Sequence, residues 1–204
     1  LIVIVDYGMG NLRSVEKAFS FLGHRATVSG EPATVAAAEG IVLPGVGSFG
    51  DAMNELGGRG LLPVLEEAIR EGRPFLGICL GYQLLCDSSE ESPGVRGLGM
   101  LPGRVARFPA RVKVPHMGWN DIGMAGSHPV LAGIEDDSFF YFVHSYYVEP
   151  EREEDVLTTT DYGLLFASGA AFDNVVAFQF HPEKSSRPGL RILDNFARWC
   201  AKGG

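Results

Sequence analysis

This 204-residue chain predicts an α/β fold, with a mainly parallel central sheet, helices on both faces and an antiparallel extension at one edge. Three observations point to it. In the first half, short apolar runs alternate with amphipathic helical patterns, the order that builds a parallel sheet. The apolar run beginning at Phe75 breaks at Gly77-Ile78-Cys79-Leu80-Gly81 and resumes with helical spacing, the signature of a strand, a tight turn and a helix. Beyond Ser92 the texture changes to shorter strands separated by turns, which suits antiparallel pairs.

In chain order, Leu1–Asp6 has a buried-strand pattern, Asn11–Phe21 is an amphipathic helix, and Arg25–Ser29 is a short strand. Ile41–Pro44 is an apolar strand after an alanine-rich segment. Helices are expected near Asp51–Leu56 and Leu61–Glu71, where Pro63 is tolerable in a first turn. Strand Phe75–Cys79 and helix Leu80–Cys86 come next, followed by strands Val105–Phe108, Arg111–Val114, Phe139–His144, Val156–Thr160, Leu164–Ser168 and Val175–Phe180. Arg187–Ala201 is the closing helix. With no repeat, low-complexity tract or long linker, residues 1–204 read as one domain.

Hydrophobic residues make up 46% and charged residues 21%, an ordinary globular balance. No apolar stretch is long enough to cross a bilayer, and Leu1–Val5 is too short for the core of a secretory signal. Three cysteines give no disulfide framework, and a reducing cytoplasm suits them. A net charge of −8, concentrated at Glu90-Glu91, Glu135–Asp137 and Glu149–Asp155, argues against nucleic-acid binding. Arg104, Arg107, Arg111 and Lys113 alternate with apolar residues and read as an exposed sheet face.

The chemistry is concentrated at two strand ends. Gly77–Gly81 is a nucleophile elbow carrying a thiol, which places Cys79 at the C-terminal edge of the sheet, where the N–H groups opening the next helix favour a thiolate. The apolar run Val175–Phe180 leads into His181-Pro182-Glu183, which delivers a base and an acid together. A lone buried cysteine is usually a small core hydrophobe, and a strand-end histidine is usually structural. Here both stand at the C-terminal ends of apolar strands, where open parallel sheets place their sites, so Cys79, His181 and Glu183 form a candidate nucleophile–base–orienter triad. Cys86 and Cys200 lie in helix-like patterns without such neighbours and read as packing residues.

Two glycine-rich segments sit at strand ends. Pro44-Gly45-Val46-Gly47-Ser48-Phe49-Gly50 frees backbone N–H groups for a developing oxyanion, and no Lys-Ser or Lys-Thr pair follows to make it a phosphate loop. Asp6-Tyr7-Gly8-Met9-Gly10-Asn11 resembles half of a dinucleotide fingerprint but lacks its third glycine. No motif calls for a metal or a cofactor.

These residues resemble the class I glutamine amidotransferases, through Gly77–Gln83 and His181–Glu183. Within that class the chain resembles the glutaminase subunits of imidazole glycerol phosphate synthase. That narrower likeness rests on Asp6–Asn11, Pro44–Gly50, Pro115-His-Met-Gly-Trp-Asn120, Tyr141–Tyr146 and Phe178–Ser185. It covers nearly the whole chain and implies a flavodoxin-like fold. The family pattern often has methionine where this chain has Tyr82. By resemblance, Cys79 attacks the side-chain amide of glutamine to give a thioester and ammonia, His181 moves the protons and Glu183 orients His181. The backbone N–H of Leu80 would hold the oxyanion, with a second donor from Val46 or Gly47. Gly47, Gln83, Glu91 and the backbone of Ser145 and Tyr146 would grip glutamine. The resemblance also implies a (β/α)8-barrel cyclase partner that uses the ammonia in histidine biosynthesis, with Asn11, Trp119, Asn120, Tyr141 and Lys184 at the interface near the triad. It implies a glutaminase idle until that partner is bound and liganded, and a peptide flip within Pro44–Gly47, testable by Gly45→Ala or Gly47→Ala, would account for this. The competing readings are the glutaminase subunit of pyridoxal phosphate synthase, a stand-alone cysteine hydrolase of γ-glutamyl bonds, and a non-catalytic module holding a nucleotide at the Gly8–Gly10 turn.

Overall fold

The computed structural model describes residues 1–203. Its elements are β1 (Ile2–Val5), α1 (Leu12–Phe21), β2 (Ala26–Ser29), α2 (Pro32–Ala36), β3 (Gly40–Gly45), α3 (Phe49–Gly58), α4 (Leu62–Arg70), β4 (Phe75–Cys79), α5 (Leu80–Gln83), β5 (Ser88–Ser89), β6 (Gly103–Arg107), β7 (His116–Asp121), β8 (Gly123–Met124), β9 (Phe139–His144), β10 (Tyr146–Pro150), β11 (Val156–Asp161), β12 (Leu165–Phe172), β13 (Val175–Phe178) and α6 (Ser186–Cys200). The main sheet runs β2-β1-β3-β4-β13-β12-β10-β6-β5. From β2 to β13 the pairs are parallel, β13–β12, β12–β10 and β10–β6 are antiparallel, and β5 closes the path parallel to β6. The structure thus has the predicted parallel sheet with an antiparallel edge extension.

Strand residues of alternating parity feed two cores, as the period of two requires. Ile4, Val42, Leu76, Ile78, Val176 and Phe178 face α1 and α6, where Val15, Phe19, Ile192, Leu193 and Phe196 meet them. Val3, Val5, Ile41, Leu43, Phe75, Val175 and Ala177 face the other way, onto Leu56 of α3 and Leu65 of α4. Covering both faces buries every residue of β1, β3, β4 and β13, which is why their sequences are unbroken apolar runs.

Three expectations change. The helix expected over Leu80–Cys86 stops at Gln83, because the Leu84 and Leu85 carbonyls accept from Leu98, Met100 and Leu101 instead of continuing the helical ladder. Arg111–Val114 is not a strand; Pro109 and Pro115 bracket it, and the Val112 N–H closes a turn on the Pro109 carbonyl at 3.1 Å. Arg111 and Lys113 are therefore loop residues, whereas Arg104 and Arg107 are exposed on β6 as expected. The strand lies just beyond, at β7, which pairs only with β9 in a separate two-stranded antiparallel ribbon. Its inward positions are His116, Gly118 and Asn120, so the apolar alternation that marks a strand is absent.

Candidate active site

Strands β3, β4 and β13 end side by side, and the apolar sequence that buries them carries their C-terminal residues to one edge. Cys79 ends β4 with φ +55° and ψ −108°, a strained geometry for a non-glycine residue and the turn expected of an elbow. Gly81 permits that turn: a Cβ there would lie 1.8 Å from the Leu43 carbonyl oxygen of β3. The elbow pairs directly with the glycine-rich strand end, Gly45 opposite Cys79. The helix that the elbow opens, α5, has a single turn, so its dipole is short.

His181 and Glu183 stand on the short turn after β13. His181 Nδ1 bonds Glu183 Oε1 at 2.9 Å, with side chains only 3% and 2% exposed. His181 Nε2 and Glu183 Oε2 are buried with no hydrogen-bond partner. With Nδ1–H committed to the carboxylate, Nε2 is the ring nitrogen left to receive the Cys79 proton, which gives a thiolate–imidazolium pair. Burial disfavours the imidazolium, but the charge of Cys79 together with the hydrogen bond and charge of Glu183 outweighs it, and the His181 pKa is pushed up to about 10. The turn is stitched to β9: Ser185 Oγ donates to the His181 carbonyl at 2.6 Å and accepts from the Tyr141 N–H, and the His181 N–H donates to the Tyr141 carbonyl.

A cavity of about 270 Å³ opens over Cys79, lined by Val46, Gly47, Leu80, Gln83, Glu91, Pro115, Val143, His144, Ser145 and Tyr146. All the sequence-predicted pocket residues meet there. Gln83 Nε2 donates to the Tyr146 carbonyl at 3.1 Å and to Gln179 Oε1 at 3.0 Å, so the group it offers the cavity is the acceptor Oε1. Glu91 Oε2 accepts from the Phe49 N–H at 2.8 Å, which holds its carboxylate at the opening of α3. Both side chains therefore present acceptors, suited to an ammonium group, and a carboxylate in the same cavity needs backbone N–H groups. Gly47 has φ +99°, and a Cβ there would reach 2.5 Å from Met9 Cε. A Cβ on Gly45 would reach 2.2 Å from the Tyr7 hydroxyl, so Gly45→Ala is a packing lesion and does not isolate a peptide flip.

Two residues that the sequence reading passed over touch this centre. Gln179 Nε2 lies 3.7 Å from Cys79 Sγ, and the Val143 carbonyl lies 3.9 Å from the same sulfur. Its signal was a lone amide inside an apolar run ending at the base, a buried polar group that must have partners. Buried Tyr7 donates to the Pro44 carbonyl at 3.0 Å and fixes the strand end beside the elbow; burial, with the charge of Cys79, pushes its phenol pKa up. At the Gly8–Gly10 turn the Gly8 N–H already donates to Asp6 Oδ1, and the Arg59 guanidinium lies against Gly8. Cys86 and Cys200 are buried, and burial raises both thiol pKa values, consistent with packing roles. Tyr82 is fully buried on the core side of the elbow, away from the sulfur's polar neighbours.

Beside the cavity the β7–β9 ribbon turns Met117, Trp119, Phe139 and Tyr141 outward, with Met117 62%, Trp119 52% and Phe139 54% exposed. Trp119 meets Tyr141 edge to face at 6.2 Å, and Lys184 Nζ stands 5.9 Å from the Tyr141 ring centroid. Trp119 is thus a surface residue and not a core one. Asn11, exposed, precedes α1, and Asn120 lies on the inner side of the ribbon. Among the described residues, no helix is long and apolar enough to cross a membrane.

The family model for glutamine amidotransferase class-I matches residues 3–199. The imidazole glycerol phosphate synthase subunit HisH of Desulfitobacterium hafniense is 52% identical over 98% of this chain and 94% of its own length. The subunit of the same name from Aquifex aeolicus is 51% identical over 98% of this chain and 97% of its own. In fold, the chain matches PurLQS from Thermotoga maritima with a TM-score of 0.77 at 19% identity, covering 97% of each chain. Sequence likeness of this depth along nearly the whole length, on a matching fold, places the chain in the class I glutamine amidotransferases and, among them, in the family of the imidazole glycerol phosphate synthase subunits HisH.

Proposed function

We propose that residues 1–204 act as a single glutaminase domain that releases ammonia from glutamine through a Cys79 thioester and hands it to a cyclase subunit. The observation that carries the reading is the His181 imidazole, bonded through Nδ1 to Glu183 and bare at buried Nε2, beside a cysteine held on a strained elbow at the mouth of a cavity. With the thiol proton already on Nε2, the Cys79 thiolate attacks the side-chain amide carbon. The oxyanion that forms is held by the Leu80 N–H and a second N–H from Val46 or Gly47. As the C–N bond breaks, the imidazolium returns the proton to the leaving nitrogen and ammonia departs. Neutral after that transfer, His181 takes a proton from the water that attacks the thioester, glutamate leaves, and the thiolate–imidazolium pair is restored. Glu183 holds the imidazole in the required tautomer and stabilises its cation. Gly47, Gln83, Glu91 and the Ser145–Tyr146 backbone seat glutamine, with the acceptors of Gln83 and Glu91 on its α-ammonium.

Ammonia released into bulk water is protonated and lost as a nucleophile, so the product needs a closed route to an acceptor site. The exposed apolar outer face of β7–β9, next to the cavity, supports docking of a (β/α)8-barrel cyclase through Trp119 and Tyr141, with Lys184 and Asn11 as further contacts, whereas Asn120, on the inner side, would act through the ribbon and not by direct contact. The cyclase would combine the ammonia with a phosphoribulosyl-formimino aminoimidazole carboxamide ribonucleotide to give imidazole glycerol phosphate and an aminoimidazole carboxamide ribonucleotide. Three free thiols fit a reducing cytoplasm. A stand-alone hydrolase would have no use for that apolar face. The test is glutamate and ammonia release by the chain alone, and with the cyclase subunit plus its nucleotide ligand, using Cys79→Ala as control. Activity that appears in the liganded mixture and vanishes in Cys79→Ala is the expected result, and equal activity without the partner refutes the gated reading.

A further inference from the structure

The cavity wall formed by Ser145 and Tyr146 is held by two histidines with no part in the thiol chemistry. His144 Nδ1 lies 2.7 Å from the Tyr146 carbonyl oxygen, and His144 Nε2 lies 2.8 Å from His116 Nδ1. His116 Nε2 lies 3.3 Å from Asn120 Nδ2, which also donates to the Asp161 carbonyl at 2.9 Å. The direction of this chain is forced. A carbonyl only accepts, so His144 Nδ1 carries the hydrogen and its Nε2 accepts. His116 Nδ1 must then donate, His116 Nε2 accepts, and the Asn120 amide supplies the last hydrogen. Every nitrogen of both rings is used. Both side chains are buried, His116 stacked between Phe142 at 4.7 Å and Tyr162 at 4.0 Å. Burial pushes their pKa values down, to about 4 for His116 and about 3 for His144, so both rings are neutral at pH 7, the only state that fits this order of donors and acceptors.

The two ends of the chain matter most. At one end the Tyr146 carbonyl also accepts from Gln83 Nε2, while the His144 side chain closes a ring across Ser145, restricting the backbone of both wall residues. At the other end Asn120 belongs to the ribbon whose outer face carries Trp119. Accepting the cavity as the glutamine site, we propose that His116 and His144 are positioning residues: their one-way hydrogen-bond chain from Asn120 to the Tyr146 carbonyl sets the Ser145–Tyr146 wall of the glutamine cavity and ties it to the β7–β9 ribbon. They touch no reacting atom and act through the wall.

The experiment measures glutamine KM and kcat for the ligand-bound complex with the cyclase subunit, in wild type, His116→Phe, His144→Phe, the double variant and His144→Asn, each with its Tm. Phenylalanine keeps the ring volume and removes the hydrogen bonds. Losing one neutral hydrogen bond predicts a KM increase of roughly three- to tenfold in each single variant with a smaller change in kcat. A chain acting as a unit makes the double variant no worse than His144→Phe alone. His144→Asn recovers most of the KM, because its amide nitrogen can occupy the place of Nδ1. Unchanged KM in a folded His144→Phe, additive effects in the double variant, or a lower Tm with unchanged KM would each overturn the proposal. If His144→Phe does not fold, His116→Phe carries the same KM criterion. A wild-type complex that releases no glutamate would refute the glutaminase reading itself, whereas normal wild-type turnover with indifferent variants refutes only this one.

Discussion

His181 is the residue on which folding and chemistry are most tightly linked. Its pKa in the folded chain is raised from 6.5 to about 10, so it contributes stability that is fully present below about pH 6.5 and is lost as pH rises through 10. The charge of Cys79 is the leading influence raising it. Thermal melts from pH 6 to 10 should therefore show wild type losing stability toward alkaline pH, and Cys79→Ala losing less over the same range. A parallel pair of profiles would contradict this assignment. Gln179 is the second residue to test. It donates toward Cys79 Sγ and accepts from Gln83, so Gln179→Leu removes a donor at the sulfur and strands the Gln83 amide. We expect unfolding free energy to fall by about 1–3 kcal/mol and kcat/KM to fall by roughly tenfold, read by denaturant titration and steady-state assay.

At the scale of elements, the site depends on how closely α5 packs against β3. The chain leaves β4, turns sharply at Cys79 and brings Gly81 against the Leu43 carbonyl, with no space for a methyl group. Gly81→Ala must displace the elbow or the strand. The predicted cost is about 3 kcal/mol or more in urea unfolding, together with loss of activity, since the displaced atoms include the nucleophile's own turn. The turn bearing His181 and Glu183 is held differently, by Ser185 reaching both the His181 carbonyl and the Tyr141 N–H. Tyr141 is paired with Trp119 in the ribbon, so the turn bearing His181 and the exposed face are both tied to β9. That shared strand gives a bound partner a short mechanical path to the triad.

For the whole molecule, the question is what covers the outer face of the β7–β9 ribbon. Trp119 is half exposed and rests only edge-on against Tyr141, so Trp119→Ala should leave the stability of the isolated chain within about 0.5 kcal/mol. In complex with the cyclase subunit the same change should weaken binding by about 2 kcal/mol or more, the scale of an interfacial tryptophan. Calorimetric titration of the two subunits, beside melts of the isolated chain, separates these effects. Partner binding should also raise the Tm of the wild-type chain in proportion to the logarithm of partner concentration, and the substitution should blunt that rise.

The parallel half of the sheet and the strand ends that carry Cys79, His181 and Glu183, the proposed triad, were legible in the amino-acid order. A strand buried on both faces must be apolar throughout, and a thiol elbow needs small neighbours, so β1, β3, β4, β13 and Gly77–Gly81 announce themselves locally. The family likeness carried further, to Gln83, Glu91, Ser145 and Tyr146, which do line one cavity. The ribbon strand β7 was not legible, because its inward side is His116, Gly118 and Asn120, and the two polar side chains are accommodated there by hydrogen bonds to His144 and Asp161 contributed from β9 and β11. The length of α5 was equally hidden, since the carbonyls that would have extended it are taken by residues 98–101. Gln179 stood in plain view, and only the fold brings it to the sulfur and to Gln83, 96 residues away in the chain. Local periodicity determines which segments are strands and where a nucleophile can stand, because backbone geometry and burial act over a few residues. Which polar groups meet, and therefore what a histidine or an amide does, is decided by long-range packing, because a buried polar group takes its role from its partners.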